Sequence, residues 1–535
     1  NRTRLLTRGL THYWPWHAGL ALGVMAAAAV IAGSLVTGDS VRATLAHQAE
    51  IRLGKTGTAV AAADGFFTEE LASRVPGAVP VLLVQGTVSV PGDSLRANGV
   101  NIFGVRDDFW TLGLNGTAPK IEGGLVMNAP LARALGGAAA GTELILRFEK
   151  PSLISRDAPL SGESDLTVTL RAPLREVRGD EGMGAFSLKA QQEPPMNVYL
   201  PLSQLQSSAE LPGKANLLLS PTPDSAAVSK ALAGGFSQED AGLSWQVVGN
   251  QRVLSTSRIF LSPQTAEAAR KAFPEARGVL TYLVNEIQGP EGKRTPYSMA
   301  TAAPPGTAGL PEEWPEGSVL ITQWLADDLG VKAGDSVTVK YFRVTRARQL
   351  DEAYATFPIH AVLPMDHPAV RREWTPNFPG VTESENCRDW KPGIPIDQSI
   401  IRDKDDAYWK ERKGTPKIFL TLNDGQKLWT NRFGALTSLW LASEKPVDEL
   451  SAELRSHLTP ADAGIVTVGV KEAAGKAVSQ SMDFGALFVS MSAFLIATAL
   501  LLAVLLFVFG IGQRAGQIGL LRAAEAEDRP QCPAG

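Results

Sequence analysis

Two uncharged apolar runs, one near each end of the chain, constrain the fold more than any other feature of the sequence. The first covers residues 18–38 and reads AGLALGVMAAAAVIAGSLVTG. The second covers residues 484–512 and is dense in Leu, Phe and Val. A helix of about twenty apolar residues spans the hydrocarbon core of a bilayer. The sequence therefore predicts one transmembrane helix in each run.

Each run also has an alternative interpretation. The first could be a cleaved signal peptide, because arginines precede it and small residues follow it, although it exceeds the usual apolar region of about 7 to 15 residues. The second could be a core helix of a soluble domain, although few such cores hold so long an uncharged helix. We favour the transmembrane interpretation for both runs.

Charged residues beside the runs predict an orientation. Three arginines lie within residues 2–8, before the first run, and Arg514, Arg522 and Arg529 follow the second. Lys and Arg next to a membrane span are retained on the cytoplasmic side. The predicted segments are a cytoplasmic N-terminus (1–17), a transmembrane helix (18–38), an extracytoplasmic domain (39–483), a second transmembrane helix (484–512) and a cytoplasmic segment (513–535).

Composition indicates the class of the large domain between the runs. The 535 residues include 51 Gly and 35 Pro, more than long helical bundles tolerate, so strands and turns should be frequent. The predicted fold class is α+β. A net charge of -4 provides no basic surface for nucleic acid. Cys387 and Cys532 fall on opposite sides of the predicted membrane, so no disulfide joins them.

An internal repeat predicts two related lobes in this domain. Residues 125–148 read LVMNAPLARALGGAAAGTELILRF, and residues 319–342 read VLITQWLADDLGVKAGDSVTVKYF. Both copies, near 123–148 and 317–342, predict a strand, a short helix, a turn and a second strand. Gly136 and Gly330 occupy the position that ends each helix, where a left-handed backbone is common.

Four further segments carry local predictions. Pro151–Asp165 and Gly289–Gly317 are rich in residues that favour loops, so both are predicted to be loops. Pro446–Leu458 has apolar residues at helical spacing and is predicted to be a packed surface helix. Lys471–Ser481 leads into the second apolar run and is predicted to be a helical stalk.

Several segments, in order along the chain, resemble FtsX-like, MacB-like bacterial ABC transporter permeases. Val36–Ala72 resembles the segment that follows the first membrane helix in this family, and MDFGALFVSMSAFLIATALLLAVLLF resembles the second membrane helix. Five more stretches between them also match: FGVRDDFWTLG (103–113), PMNVYLPLSQLQ (195–206), CRDWKPGIPID (387–397), GTPKIFLTL (414–422) and LWTNRFGALTSL (428–439). The resemblance spans nearly the whole chain, and the order of the segments is more specific than any one of them.

The resemblance implies a non-catalytic permease subunit without a cofactor. Such a subunit sits in the cell (inner) membrane with a large periplasmic, MacB-like domain. It couples ATP hydrolysis by a separate ABC ATPase to movement of a lipid, lipoprotein, peptide or drug. The implied partners are the ATPase, a second permease copy and membrane lipid. One alternative is an FtsX-like module that regulates cell-wall hydrolases by mechanical contact, and another is a membrane-anchored extracytoplasmic enzyme.

The resemblance also implies a site for the ATPase. GQIGLLRA, residues 516–523, is similar to the short cytoplasmic helix that contacts the ATPase in this family. The implied coupling residues are Gln517, Ile518, Gly519, Leu520, Leu521, Arg522 and Ala523. The alternative for this stretch is an amphipathic helix on anionic lipid. Because the family continues into two more membrane helices while residues 524–535 are polar, the sequence is expected to be a truncated or interrupted permease.

Signatures of enzymes are weak in this sequence. Gly54, Lys55 and Thr56 end like a phosphate-binding loop, but Ala49 stands where that loop requires glycine. Neither HExxH nor GxSxG occurs. These observations argue against a nucleotide site, a zinc protease and a serine hydrolase.

Charged and histidine-containing clusters also have simple interpretations. His360, His367 and Asp366 form the only local histidine group, and a metal site needs three or four converging ligands. We therefore predict no metal site. Carboxylates at 403, 405 and 406 lie beside Arg402 and Lys404, and this stretch is predicted to be a solvated charged loop.

Six aromatic residues are concentrated between residues 374 and 440. They either pack in the core, which we favour, or line a surface for a lipid, peptide or glycan. The six are Trp374, Trp390, Tyr408, Trp409, Trp429 and Trp440.

Overall fold

The computed structural model describes residues 2–63, 65–92, 95–114, 118–119, 121, 123–151, 167–189, 193–344, 350–392, 394–480 and 484–527. The chain divides into two compact units. A helical unit lies within residues 1–50, 189–192 and 472–535, and a sheet unit lies within residues 51–188 and 193–471. The content is mixed helix and sheet, in agreement with the predicted class.

The helices are numbered in chain order. They are α1 (Arg2–His12), α2 (Trp14–Leu53), α3 (Ala129–Ala134), α4 (Leu202–Ser208), α5 (Ser225–Gly235), α6 (Pro263–Ala272), α7 (Gln323–Leu329), α8 (Asp403–Arg412), α9 (Leu422–Trp429), α10 (Val447–Arg455), α11 (Val470–Gln480) and α12 (Phe484–Glu527).

The strands are numbered in the same way. They are β1 (Thr58–Ala62), β2 (Phe67–Thr68), β3 (Val79–Ser89), β4 (Arg96–Val105), β5 (Leu125–Asn128), β6 (Glu143–Glu149), β7 (Thr167–Arg178), β8 (Asn197–Pro201), β9 (Lys214–Ala215), β10 (Leu217–Ser220), β11 (Leu243–Val248), β12 (Gln251–Thr256), β13 (Arg277–Gln288), β14 (Arg294–Ala303), β15 (Val319–Thr322), β16 (Ser336–Val344), β17 (Leu350–Leu363), β18 (Ile418–Thr421), β19 (Ser438–Ala442) and β20 (Ile465–Gly469).

Two long helices contain the apolar runs. Within the described residues, Trp14–Leu53 and Ser492–Leu520 are long and apolar enough to cross a membrane, by length and composition. The first forms all of α2, with 40 residues, and the second lies inside α12, with 44 residues. Both helices extend well beyond the 18–38 and 484–512 runs that identified them.

The sheet unit contains two nine-stranded sheets with the same internal arrangement. The first has the order β20-β1-β10-β3-β4-β8-β5-β7-β6, and the second has the order β11-β12-β19-β13-β14-β18-β15-β17-β16. An additional β3–β6 pairing closes six strands of the first sheet into a barrel, and β13–β16 does the same in the second. In each sheet the other three strands extend from the barrel.

The two copies of the sequence repeat occupy equivalent places in the two barrels. Each copy folds as strand, helix, turn and strand: β5-α3-β6 in the first and β15-α7-β16 in the second. The ladder of each first strand shifts register at the same point, after Leu125 in one copy and after Val319 in the other. The turn glycines Gly136 and Gly330 both have positive φ, 70° and 66°.

The cores of the sheet unit include one in each barrel and one shared by both sheets. Leu131 lies in the core of the first barrel and Leu325 in that of the second, and both are fully buried. A third core combines residues from the strands that extend from both barrels and from the helices between them. It includes Val60, Leu218 and Ile465 from the first sheet, Leu243, Leu254 and Leu439 from the second, and Leu232, Ala269 and Leu450 from helices.

The local predictions had different outcomes. Helix α10 confirms the packed helix over Val447–Arg455, with Leu450 and Leu454 buried, and Leu458 is buried just after the helix ends. The predicted loop at Gly289–Gly317 is wrong in its middle, because β14 crosses it as a strand buried at nine of its ten residues. Its small side chains, mostly Ala, Ser and Thr, fit the barrel but give little strand signal. Residues 152–165 of the other predicted loop lie outside the described residues.

Candidate functional site

The implied coupling residues lie near the end of α12. The sequence suggested a separate short helix at 516–523, but the structure gives one continuous helix from Phe484 to Glu527. Its 44 residues correspond to roughly 66 Å, about twice the thickness of a bilayer's hydrocarbon core. Ile518 and Leu520 are 45% and 73% exposed. The segment therefore presents apolar side chains that the described residues leave uncovered.

Arg514, one turn before this segment, contacts the start of α2. Its Nη2 atom lies 2.9 Å from Nε2 of His17, and its guanidinium carbon lies 4.2 Å from the centre of the Tyr13 ring. Arginine can only donate hydrogen bonds, so Nε2 of His17 is the acceptor in this contact. The contact joins the first turn of α2 to α12.

Aromatic packing continues this antiparallel contact along the two helices. The rings of Trp16 and Phe509 lie 5.1 Å apart, and Leu506 lies against the α carbon side of Gly19. Sequence reasoning missed these residues. The signal was present in YWPWH at residues 13–17, because Trp and Tyr concentrate where membrane helices meet the interface.

The chain enters and leaves the sheet unit through neighbouring strands. Strand β1 follows α2, and β20 immediately precedes α11, which leads to α12. These two strands pair in an antiparallel ladder of five residue pairs, from Thr58↔Gly469 to Ala62↔Ile465. Sequence patterns could not reveal this pairing because its partners lie about 400 residues apart. We call this ladder the β1–β20 clasp.

Gly57 fixes the end of the clasp that lies next to α2 and α11. The backbone N–H of Val470 donates to the carbonyl oxygen of Gly57 at 3.0 Å, and the N–H of Gly57 donates to that of Ser220 at 2.8 Å. A Cβ atom on Gly57 would lie 2.6 Å from backbone atoms of Thr222 and Pro223. Only glycine fits there without movement of the backbone.

The segment that resembles the end of a phosphate loop is a turn after α2. Gly54 has a φ of 56°, and the backbone N–H of Lys55 donates to the carbonyl oxygen of Leu112 at 2.7 Å. A phosphate loop uses such amides for its ligand. Here the amide of Lys55 is already hydrogen-bonded to the backbone of the protein.

The histidine group does not converge. His360 lies on β17, whereas Nδ1 of His367 accepts the backbone N–H of Ala369 at 3.2 Å. In the described parts of the chain, no three His, Cys, Asp or Glu side chains are placed to hold one metal ion.

The prediction of a solvated charged loop at residues 402–406 is wrong. These residues begin α8, and Asp405 is only 5% exposed, although the Asp403 side chain is 94% exposed. Both oxygens of Asp405 accept hydrogen bonds of 2.7 Å from the Arg402 guanidinium. Arg402 also donates to Asp328 at 2.7 Å. Asp328 precedes Arg402 by 74 residues, so local sequence could not reveal this partner.

Burial and hydrogen bonding oppose each other in this ion cluster, which comprises Asp328, Arg402, Lys404, Asp405 and Lys417. Burial would raise the pKa of Asp328, but hydrogen bonds from Arg402, Lys404 and Thr295 lower it below its ordinary value. Burial likewise acts against the charge of Arg402, yet the hydrogen bonds that Arg402 donates to Asp405 and Asp328 raise the pKa of Arg402. The cluster connects α7, α8 and the residue before β18 through ion pairs.

Lys417 is the most deeply buried cation of the cluster. Its Nζ atom lies 4.0 Å from the ring centre of Trp324, 4.7 Å from that of Tyr408 and 3.9 Å from Oδ1 of Asp405. Burial lowers the pKa of Lys417 to about 8, although the nearby charge of Asp405 acts in the opposite direction. Aromatic faces thus replace much of the water that an ammonium group normally binds.

The aromatic group at 374–440 forms core, as predicted. Trp374 and Trp440 stack with their ring centres 4.3 Å apart, and Trp390 and Trp409 meet edge to face at 4.6 Å. All six side chains are less than 9% exposed: Trp374, Trp390, Tyr408, Trp409, Trp429 and Trp440. As a group they form core rather than an open ligand-binding surface.

Comparisons with known proteins give only distant likeness. No protein-family model and no curated protein matches the sequence. The periplasmic region of MacB from Actinobacillus actinomycetemcomitans is 13% identical, with a TM-score of 0.22, over 34% of this chain and 83% of that chain. The extracellular domain of the noncanonic ABC-type transporter YknZ from Gram-positive bacteria is 12% identical, with a TM-score of 0.22, over 33% of this chain and 91% of that chain. Likeness at such TM-scores carries no functional argument, so the chain is similar in part to these two domains and is assigned to no family.

Proposed function

We propose that this chain is the non-catalytic permease subunit of an ABC transporter. In this role it couples ATP hydrolysis on a separate chain to movement of an extracytoplasmic domain that handles a lipid, lipoprotein, peptide or drug. The observation that carries the proposal is the β1–β20 clasp. One large domain is inserted between two long apolar helices, and both of its connections leave from paired strands.

The continuous form of α12 supports the coupling step. A straight helix resists bending over its length better than a helix followed by a loop, because its backbone hydrogen bonds are unbroken. In the proposal, Gln517–Ala523 contacts the ATPase and α12 carries displacement from there across the membrane. Arg514, bonded to His17, ties the same displacement to α2.

The sheet unit supports transmission to the domain. Displacement of one connection relative to the other would load the β1–β20 clasp first, since both connections end there. Ile465 of β20 and Val60 of β1 pack into the core shared by both sheets. Close-packed cores transmit strain rather than absorb it. Movement at the clasp would therefore reach both barrels.

The proposed orientation can be tested by labelling cysteines in intact cells. In a Cys532→Ser background, Tyr354→Cys places a thiol at a position that is 57% exposed, and Gly516→Cys places one beside the coupling residues. Buried Cys387 remains in the parent, which serves as the control. A membrane-impermeant maleimide should label Tyr354→Cys in intact cells and Gly516→Cys only after lysis. The opposite pattern would show that the orientation is reversed.

The coupling role can be tested by purifying the full-length gene product from native membranes in mild detergent. We expect an ABC ATPase to co-purify, and Arg522→Glu to weaken its binding at least tenfold, about 1.4 kcal/mol. Arg412→Glu, a charge reversal on the sheet unit, should leave the ATPase bound. Absence of any ATPase from the parent preparation would refute the permease proposal.

A further inference from the structure

Strand β11 is the outermost strand of the second sheet, and one of its edges has no partner strand among the described residues. It pairs only with β12, along Leu243–Val248. In an antiparallel strand, alternate residues direct their N–H and C=O groups away from the partner. Between Ser244 and Val248, no described residue outside β12 supplies a backbone hydrogen bond to β11.

The sequence of β11 does nothing to block this edge. Edge strands are commonly protected by charged residues or proline. Strand β11 reads LSWQVV, without either, and Val247 is 60% exposed. An unprotected edge of this kind can accept an added strand from another polypeptide.

A groove of about 610 Å³ runs along the unpaired edge. Gln246, Val247 and Val248 line it consecutively. Successive side chains of a strand point to opposite faces of the sheet. Lining by three consecutive residues is therefore what a groove beside the edge of the strand requires.

The far wall of the groove limits what can occupy it. That wall is built from Arg372, Thr375, Trp409 and Gly414. An extended strand needs roughly 160 Å³ per residue, from its rise, the spacing between strands and the spacing between sheets. The groove thus holds about four residues of a single extended chain. A second copy of this protein would have to insert a whole sheet edge, which the wall obstructs.

The charges of the groove favour an acidic occupant. Arg372 pairs with Glu373 at 3.5 Å, so these two charges largely compensate each other. Lys413 also lines the groove, and among the described residues no carboxylate lies within salt-bridge distance of it. An acidic side chain placed opposite Lys413 would form an ion pair with its ammonium group.

We propose that the groove binds an extended, acidic peptide segment of a partner protein. The segment adds as a strand to the free edge of β11 and places a carboxylate against Lys413. Backbone hydrogen bonds to β11 hold the segment, and the charge of Lys413 selects its sequence. This binding role is independent of the proposed permease function, because it needs neither the helices nor an ATPase.

The test uses the full chain in mild detergent and a phage-displayed library of seven-residue peptides. Selected peptides should be enriched in Asp and Glu and bind as synthetic peptides with micromolar Kd by fluorescence anisotropy. N-methylation of alternate peptide residues should abolish binding, whereas N-methylation of the residues between them should not. Bound peptide should slow amide hydrogen exchange within Ser244–Val248.

Two variants separate charge from shape. Lys413→Glu should weaken the acidic peptides at least tenfold and shift selection toward basic ones. The backbone at this position has a φ of 43°, which is equally unfavourable for Lys and for Glu. The parent and the variant should therefore fold equally well. Thr382→Trp should fill the groove and abolish binding without changing its charge. Lys230→Glu, a reversal at an exposed position on α5, should have no effect.

Several outcomes would overturn the proposal. One is that no peptides are enriched. Another is that neither Lys413→Glu nor Thr382→Trp changes the binding. A third is that N-methylation reduces binding equally at all peptide positions instead of in an alternating pattern. Formation of a dimer that is cross-linked between copies through Val247→Cys would show instead that a second copy of the chain occupies the edge.

Discussion

Lys417 shows how a single buried charge makes the stability of the sheet unit depend on pH. Burial lowers its pKa from 10.5 to about 8, so between these values the unfolded chain binds more protons than the folded one. The free energy of unfolding therefore rises with pH across this window, and the cost of burial is fully present below pH 8. Arg402 still compensates Asp405 when Lys417 is absent.

We expect Lys417→Met to remove this rise and to stabilise the sheet unit at pH 7 by up to about 3 kcal/mol. Urea unfolding followed by tryptophan fluorescence at pH 7, 8.5 and 10 would measure it. The difference between variant and parent should shrink as the pH increases. Parallel pH profiles for the two proteins would show that Lys417 is not the titrating group.

Gly57 tests the geometry of the clasp at one residue. Gly57→Ala should lower the free energy of unfolding by about 1 to 3 kcal/mol, because the new methyl group overlaps backbone atoms that cannot turn aside. Gly234→Ala is the control, since a Cβ on this helical residue meets no atom within 4 Å. It should be neutral or stabilise by up to about 1 kcal/mol. Equal effects of the two changes would contradict the close packing around Gly57.

The two repeat copies allow a comparison between equivalent elements. Asn128 caps α3 by accepting the N–H of Leu131, and Thr322 caps α7 by accepting that of Leu325. Asn128 has further tasks, because its side chain also accepts the N–H of Asn197 and donates to the carbonyl oxygen of Pro195. The first copy therefore depends more on its cap.

Thr322→Ala should cost about 1 kcal/mol, the usual effect of losing a cap. Asn128→Ala should cost about 2 to 4 kcal/mol, since it also leaves buried backbone groups without partners. Denaturant unfolding of the two variants provides the comparison. Equal losses would mean that the additional hydrogen bonds of Asn128 contribute nothing.

At the scale of helices and strands, the sequence predicted those features that depend on residues close together in the chain. The helices in both repeat copies, their glycine turns and α10 follow from apolar spacing and from the freedom of glycine. Strand β14 was not predicted because its buried residues are small. The burial of Asp405 was not predicted because its environment is created by Asp328, which is distant in sequence. Coupling residues at Gln517–Ala523 were predicted through resemblance and stay a prediction, while Tyr13 and His17 were overlooked although the neighbouring aromatic residues indicated them.

At the scale of the whole molecule, the clasp predicts that β1 and β20 move together. Ala59 and Val468 are paired, so Ala59→Cys with Val468→Cys should form a disulfide readily. If the strands stay paired through a transport cycle, this cross-link should leave the ATP-dependent activity of the full transporter unchanged. Ala59→Cys alone is the control. Loss of activity that is restored by reduction would show that the clasp opens.

The clasp also has a consequence for synthesis. Thr58 and its partner Gly469 are 411 positions apart (469 − 58). Strand β1 therefore has no β20 to pair with until nearly the whole domain has been synthesised. At roughly 5 to 20 residues per second, the delay is about 20 to 80 s. Throughout this interval β1 presents an open edge that chaperones or proteases can recognise. A ribosome that stops early leaves this edge uncovered, and only a chain extended past β20 conceals it. The pairing of first strand with last thus marks a finished domain.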